Sequence, residues 1–237
     1  MIAGPARIFS LLTNAAFAAV VFGVALPGPH RVVAPGLYGL TEIAPDIWTD
    51  APARAGAFGD LVEVSRRRVA DFFGEAPPRQ AIVLCGTPTC ARDFGIGGNG
   101  LSLAGMAVMV APGGLTTGTL THEMTHSRLH RSMGVRNIVR QPYPTWFDEG
   151  LATHVAGHPA WPGPITEADR ARVREVRRFW QLGDAFRELG VGRTYKAAAA
   201  EVARIERQAG RAGLLELIAR AEAGERFEVV LAELLAR

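Results

Sequence analysis

The spacing of hydrophobic residues predicts short strands in the first half of the chain and amphipathic helices around and after them. Apolar residues of "FGDLVEVSRRRVADFFG" (residues 58–74) repeat along one helical face, and this stretch ends at a glycine. Two apolar, partly β-branched runs, at residues 79–85 ("RQAIVLC") and 106–112 ("MAVMVAP"), lie between turn residues, as strands do. The pattern thus predicts a small sheet that begins before most of the helices.

Capping residues delimit four further helices in the second half of the chain. Their predicted bounds are a Thr-rich start to Gly134, Thr145 to Gly157, Thr166 to Gly183, and Thr194 to Gly210. Residues 213–236 add one or two amphipathic helices. With 237 residues, 48% of them hydrophobic, the chain can bury one substantial core. A sheet followed by helices predicts an α+β fold.

The N-terminal segment differs in composition from the rest of the chain. Residues 8–26 ("IFSLLTNAAFAAVVFGVAL") carry no charge and as a helix would span roughly 30 Å, about the thickness of a bilayer core. We expect residues 1–27 to be an uncleaved membrane anchor that holds the remaining chain outside the cytoplasm. The alternative is a signal peptide, cleaved to release a secreted or periplasmic protein. Residues 28–40, rich in proline and glycine, then form a linker to a domain of residues 41–237.

The cysteines and the net charge limit the compartment and the partners that we expect for the protein. Cys85 and Cys90 are the only two cysteines, and their close spacing predicts a small disulfide loop in an oxidising compartment; two free buried thiols are the alternative. The net charge of +3 comes from 26 basic and 23 acidic residues, interleaved in the second half. The most basic run, "RARVREVRR" (residues 170–178), is interpreted as a solvated helix face. We therefore expect no nucleic-acid partner.

The stretch "LTHEMTHSRLH" (residues 120–130) carries the first candidate chemistry. His122 and His126, four residues apart, share one helical face, where their ring nitrogens can converge on a tetrahedral ion. Glu123 lies about 100° round the helix, where a general base for a metal-activated water has to be. His130 continues the spacing but lies two turns, roughly 12 Å, beyond His122, so a rigid helix cannot bring both to one ion. We interpret His130 as a surface or supporting histidine, and a third ligand is needed elsewhere.

The stretch "YPTWFDEGLATHVAG" offers that ligand. Thr145 opens a new helix, and Asp148 three residues later is expected to complete a capping box. Glu149 then falls in the first turn, followed by Gly150, which allows another backbone to approach closely. A proline-containing loop can turn this helix back across the first one and bring Glu149 to the metal. The alternative for Glu149 is an acidic side chain that the helix dipole favours in a first turn.

The motif "HEMTH" followed by "WFDEGLA" resembles the gluzincins, the thermolysin-like and aminopeptidase-like zinc metallopeptidases. The resemblance is closest to small membrane-anchored bacterial members of the peptidase MA clan. It covers the chain from about residue 79 to the C-terminus, and its specific part is the two motifs. It implies a zincin-like metallopeptidase domain with Zn2+ bound by His122, His126 and Glu149, and with Glu123 as general base and acid.

The resemblance also implies a hydrogen-bond donor to the oxyanion downstream of the third ligand. Tyr195 in "RTYKAAAAEVARI" is the matching position, with a packing role as its alternative. His154 and His158 are weaker candidates, which we interpret as a helix-surface and a loop residue. In the enzymes that the chain resembles, a strand beside the active-site helix pairs with the substrate backbone, and residues 106–110 are the expected strand.

The expected activity is therefore zinc-dependent hydrolysis of peptide bonds in a peptide or protein substrate, with membrane contact through the N-terminal segment. A catalytically silent zincin-like binding protein of the cell envelope is one alternative; it would keep the fold but lack a ligand or the base, and this chain has both. A membrane structural protein with incidental histidines is the other. The second motif argues against it, because it supplies the missing ligand.

Overall fold

The computed structural model of the protein describes residues 27–103, 105–131, 141–157 and 163–237. Within these ranges the chain forms a mixed five-stranded sheet and eight α-helices, so the predicted α+β class is confirmed. No helix in the described ranges is both long and apolar enough to cross a membrane. The predicted anchor comprises residues 1–27, and its apolar run, residues 8–26, lies outside the described ranges.

The sheet contains three strands that the hydrophobic pattern did not indicate. The strands are β1 (Thr41–Ala44), β2 (Ile47–Thr49), β3 (Ala81–Leu84), β4 (Gly100–Leu103) and β5 (Ala107–Val110). Their order is β1-β2-β3-β5-β4, with β2, β3 and β5 parallel and the outer strands β1 and β4 antiparallel to their neighbours. β3 and β5 match the two predicted apolar runs, because buried parallel strands are apolar on both faces.

The expectation that residues 106–110 would pair with a substrate is wrong. This run forms β5, which is hydrogen-bonded to β3 on one side and to β4 on the other. The backbone of β5 therefore has no unpaired edge to which a substrate could bind. The outer strand on this side of the sheet is β4, whose residues are only partly buried.

Glycines end two of the helices where the sequence predicted. The helices are α1 (Ala55–Phe73), α2 (Pro88–Asp93), α3 (Thr117–Leu129), α4 (Thr145–Ala156), α5 (Glu167–Arg174), α6 (Leu182–Leu189), α7 (Val191–Glu222) and α8 (Phe227–Leu235). Gly74 (φ 73°) follows α1 and Gly157 (φ 56°) follows α4, both in the left-handed region that favours glycine. The His-bearing helix ends at Leu129, and Gly134 lies outside the described residues.

Two other predicted helix bounds are wrong. The single helix expected at residues 166–183 stops at Arg174, and the 3-10 turn Phe179–Gln181 separates it from α6. The helix expected at residues 194–210 begins at Val191 and continues beyond Gly210, which interrupts it with non-helical angles (φ 73°, ψ 169°). Gly210 thus produces a kink in α7. The helix resumes after the kink because the flanking residues pack well enough.

Apolar side chains cover both faces of the sheet. Ile82 and Val108 face a core that α1, α3, α4 and α7 share, whereas Val83 and Met109 face a smaller second core. The second core also contains Val32 and Leu40, so the segment assigned to a linker (residues 28–40) packs on the sheet at these two positions.

The predicted disulfide is confirmed by the structure. Cys85, directly after β3, is bonded to Cys90 in α2, with an S–S distance of 1.97 Å. Both cysteines are buried in the second core. The bond therefore ties the loop after β3 to the helix that follows it.

Gly150 allows α4 and α7 to cross at close range, as its place in the sequence suggested. A Cβ at this position would lie 2.6 Å from the carbonyl oxygen of Ala198. We expect Gly150→Ala to lower the free energy of unfolding by about 1–3 kcal/mol, because the two helix backbones would have to separate. Gly59→Ala in α1, where a Cβ meets no atom within 4 Å, is the matched control and should be neutral or stabilising. Urea unfolding curves that coincide for the two variants would contradict this packing.

Candidate metal centre

Helices α3 and α4 bring the two sequence motifs together. The hydroxyl of Thr116 accepts a hydrogen bond from the backbone N–H of Thr119 (3.2 Å) and so caps the start of α3. Leu120 and Met124 bury one side of α3 in the main core. This packing fixes the rotation of α3 about its axis and turns the histidine face towards α4.

The candidate ligand atoms of His122, His126 and Glu149 form a nearly regular triangle. The two Nε2 atoms are 3.0 Å apart. Oε2 of Glu149 lies 3.3 Å from each of them. Ligands held about 2.0–2.2 Å from a tetrahedral ion are roughly 3.3–3.6 Å from one another. The three atoms therefore lie close to the spacing of three corners of such a tetrahedron.

Oε2 of Glu149 shows that this group fits a cation. The atom is buried, and its 3.3 Å contacts to the two imidazoles do not have the geometry of regular hydrogen bonds. Burial acts to raise the pKa of Glu149, but the adjacent His126 and His122 lower it to about 2. An ionised, buried oxygen without a donor, facing two ring nitrogens, is suited to a metal ion.

Asp148 orients two of the histidines through hydrogen bonds. Nδ1 of His126 donates to Oδ1 of Asp148 (3.0 Å), and Nε2 of His130 donates to Oδ2 (2.7 Å). A proton on Nδ1 leaves the lone pair of His126 Nε2 free for the candidate centre. Burial acts to raise the pKa of Asp148, but contact with His130 and His126 holds it well below its usual range. His130 is thus a supporting residue, since its hydrogen bond goes to Asp148.

The predicted capping role of Asp148 is wrong. The residue before α4 is Pro144, and no side chain caps this helix. The first backbone N–H groups of α4, those of Thr145 and Trp146, instead donate to the carbonyl oxygens of Arg177 and Val176. The side chain of Asp148 is therefore free to bind the two histidines.

We expect Asp148→Asn to weaken zinc binding by about 10- to 100-fold without abolishing it, because the amide oxygen can still accept from His126 but carries no charge. Competition against a fluorescent zinc chelator measures this change. Asp184→Asn, at an exposed position of α6, is the matched control and should bind as the parent does. An unchanged dissociation constant for Asp148→Asn would show that Asp148 does not support the centre.

Glu123 lies beside the candidate ligands and against the outer strand. A Cβ on Gly100 of β4 would lie 2.7 Å from Oε1 of Glu123, so this glycine makes room for the carboxylate. Burial raises the pKa of Glu123, while His126 and His122 act to lower it. A carboxylate with a raised pKa next to a group of candidate metal ligands has the properties of a general base.

A cleft of about 320 Å3 contains all of these groups. Its lining residues come from β4, from α3 and the residue after it, from Gln141 and the start of α4, and from two aromatic side chains: Gly100, Leu101, Ser102, His122, Glu123, His126, His130, Gln141, Thr145, Asp148, Glu149, Phe179 and Tyr195. The sequence patterns did not indicate Ser102, Gln141 or Phe179 as functional residues. Serine, glutamine and an exposed aromatic residue carry no signal in a single sequence, and only the tertiary fold brings them to the cleft.

Tyr195 lines the cleft next to a candidate ligand. Its ring lies edge-on to that of His122, with 5.8 Å between the ring centroids. Burial, followed by the charges of Glu149 and Glu123, raises the pKa of Tyr195 well above its usual range, so the hydroxyl keeps its proton. His154, by contrast, donates to Glu206 of α7 (2.6 Å) and is not among the cleft residues. His158 lies outside the described residues.

Comparisons with known protein families, with curated proteins and with solved structures found no match. The function of the protein must therefore be inferred from the chemistry of this cleft.

Proposed function

We propose that the protein is a zinc-dependent peptidase with a zincin-like domain of the gluzincin type. The observation that carries this proposal is the convergence of His122 Nε2, His126 Nε2 and Glu149 Oε2, with Glu123 in the same cleft. Two imidazoles and one carboxylate form the donor set of catalytic zinc sites that keep one coordination position open. When bound, zinc supplies Lewis acidity, which lowers the pKa of a coordinated water and polarises a carbonyl group.

The chain's own residues then have separate tasks. Glu123 accepts the proton of the attacking water and passes it to the leaving nitrogen, for which its raised pKa is suited. The hydroxyl of Tyr195 donates a hydrogen bond to the developing oxyanion. The outer edge of β4, which pairs with no strand in the described part of the chain, pairs with the extended backbone of the substrate, since β4 borders the cleft and β5 does not.

Hydrolysis of a peptide library by the full-length chain tests this proposal. We expect cleavage that stops when zinc is removed by a chelator and returns when zinc is added back. Mass spectrometry of the products identifies the cleaved bonds. A folded, zinc-loaded chain that cleaves no member of the library would contradict the peptidase proposal and favour a catalytically silent binding protein.

We expect Tyr195→Phe to lower turnover by about tenfold to a thousandfold, because a hydroxyl that binds the oxyanion acts only as the intermediate forms. Zinc content and substrate affinity should remain near those of the parent. Single-turnover kinetics separate these effects. If Tyr195 only packs against Phe186 (5.4 Å between ring centroids), the retained ring should keep turnover unchanged.

We also propose that residues 1–27 anchor this domain to a membrane, with the catalytic cleft outside the cytoplasm. The disulfide between Cys85 and Cys90 supports an oxidising compartment. Fractionation of cells that express the full-length chain, followed by protease digestion from the outer side, tests both the anchor and its orientation.

A further inference from the structure

Besides Glu149 Oε2 at the candidate centre, three polar atoms that line the cleft are buried and have no hydrogen-bond partner. They are Ser102 Oγ, Gln141 Oε1 and Thr145 Oγ1. Thr145 is only 3% exposed. Buried polar groups without a partner are rare, because leaving one unsatisfied costs about 1–3 kcal/mol. Three such groups lining one cleft indicate a site prepared for a polar ligand group.

The three groups lie to one side of the candidate metal centre. Thr145 precedes Glu149 by one helical turn on the same face of α4, about 5–6 Å away. Ser102 points to the same face of β4 as Gly100, two residues or about 7 Å further along the strand. Gly100 lies against Glu123, the proposed general base. The polar groups are therefore within reach of a substrate side chain next to the reacting bond.

The direction of a paired peptide decides which substrate residue reaches them. β4 and α3 run in the same direction, because Gly100 lies against Glu123 and Gly105 lies against Arg131, two turns further along the histidine-bearing segment. A peptide antiparallel to β4, the more stable pairing, has its amino-terminal side towards Ser102. The polar groups therefore face the residue on the amino side of the scissile bond.

The charges of the cleft select a neutral side chain. None of the described residues that line the cleft is lysine or arginine, and the imidazoles of His126 and His130 are already paired with Asp148, so an acidic side chain would find no further cation beside the three polar groups. The carboxylates of the cleft are also committed, because Asp148 binds the two histidines, Glu149 faces the candidate centre and Glu123 lies against Gly100, so the polar groups offer none to a basic side chain. A carboxamide fits, since its NH2 can donate to Gln141 Oε1 and its oxygen can accept from the Ser102 and Thr145 hydroxyls.

We propose that Ser102, Gln141 and Thr145 form a subsite for an asparagine or glutamine side chain on the amino side of the scissile bond. This inference rests on the proposed peptidase function and names its substrate class. The carboxamide supplies the hydrogen bonds that the three groups lack in the free protein.

Paired peptides that differ only before the scissile bond test the subsite. With the full-length, zinc-loaded chain, a glutamine peptide should have a kcat/KM at least about tenfold higher than its methionine counterpart, which has nearly the same shape but no hydrogen bonds to offer. Thr145→Val should move this ratio towards one, and Thr145→Ser should retain most of it. Thr41→Val, at an exposed position of β1, is the control and should leave the ratio unchanged. A ratio near one in the parent, or one that Thr145→Val does not change, would overturn the subsite.

Binding of the same peptides to zinc-loaded Glu123→Gln separates this inference from the proposed function. Calorimetric preference for glutamine, without hydrolysis by the parent, would retain the subsite and overturn the peptidase. Hydrolysis without any preference would retain the peptidase and overturn the subsite. The absence of both binding and hydrolysis would overturn both.

Discussion

Glu123→Gln should lower the turnover of peptide hydrolysis by roughly two orders of magnitude or more, with zinc content unchanged. Glutamine keeps the shape of the side chain against Gly100 but cannot accept a proton from water. The loss should therefore appear in kcat, as expected when a group acts only in the chemical step. Steady-state kinetics at equal zinc occupancy measure it.

Glu63→Gln is the matched control for this variant. Glu63 is an exposed residue of α1 that pairs with Arg67 on the surface, so its loss should leave turnover unchanged. If Glu123→Gln hydrolyses peptides at the rate of the parent, the proton acceptor is another residue. Glu123 would then lose its assignment as the general base of the candidate metal centre.

The second large effect is expected at the candidate ligands. His122→Ala, His126→Ala and Glu149→Ala should each abolish zinc binding at micromolar zinc, because two remaining ligands do not hold the ion in a site that needs three. Hydrolysis should disappear with the metal. Metal analysis after gel filtration, together with thermal unfolding to confirm that each variant is folded, measures this effect.

His154→Ala provides the control for loss of a histidine from the same pair of helices. His154 binds Glu206 instead of the candidate centre, so this variant should retain zinc near one equivalent per chain. Zinc retained by any two of the three ligand variants would contradict the proposed centre.

The candidate centre could be predicted because its geometry is largely local. The four-residue spacing of His122 and His126 fixes their relation on any helix, and the structure brings their Nε2 atoms to 3.0 Å. Glu149 required one long-range assumption, that the second helix crosses the first. Gly150 does mark a close helix crossing, but its partner is Ala198 of α7, so the glycine gave no support for the approach of α4 to α3.

Features that depend on tertiary contacts could not be predicted in this way. Asp148 has the sequence position of a capping residue, yet its partners are His126 and His130 on another helix. Residues 170–178 read as one helix, but the carbonyl oxygens of Val176 and Arg177 bind the first amides of α4, and the helix ends before them. Strand β4 is short and only partly buried, so it has too little apolar periodicity to be recognised.

The most direct test of the proposed zinc centre is X-ray absorption at the zinc edge on the full-length chain loaded with one equivalent of zinc. The proposed ligands predict nitrogen and oxygen neighbours at about 2.0–2.2 Å, with the multiple-scattering signature of two imidazoles and no sulfur. Zinc that is not retained by the folded chain, or that shows sulfur neighbours or no imidazole, would contradict a centre built from His122, His126 and Glu149.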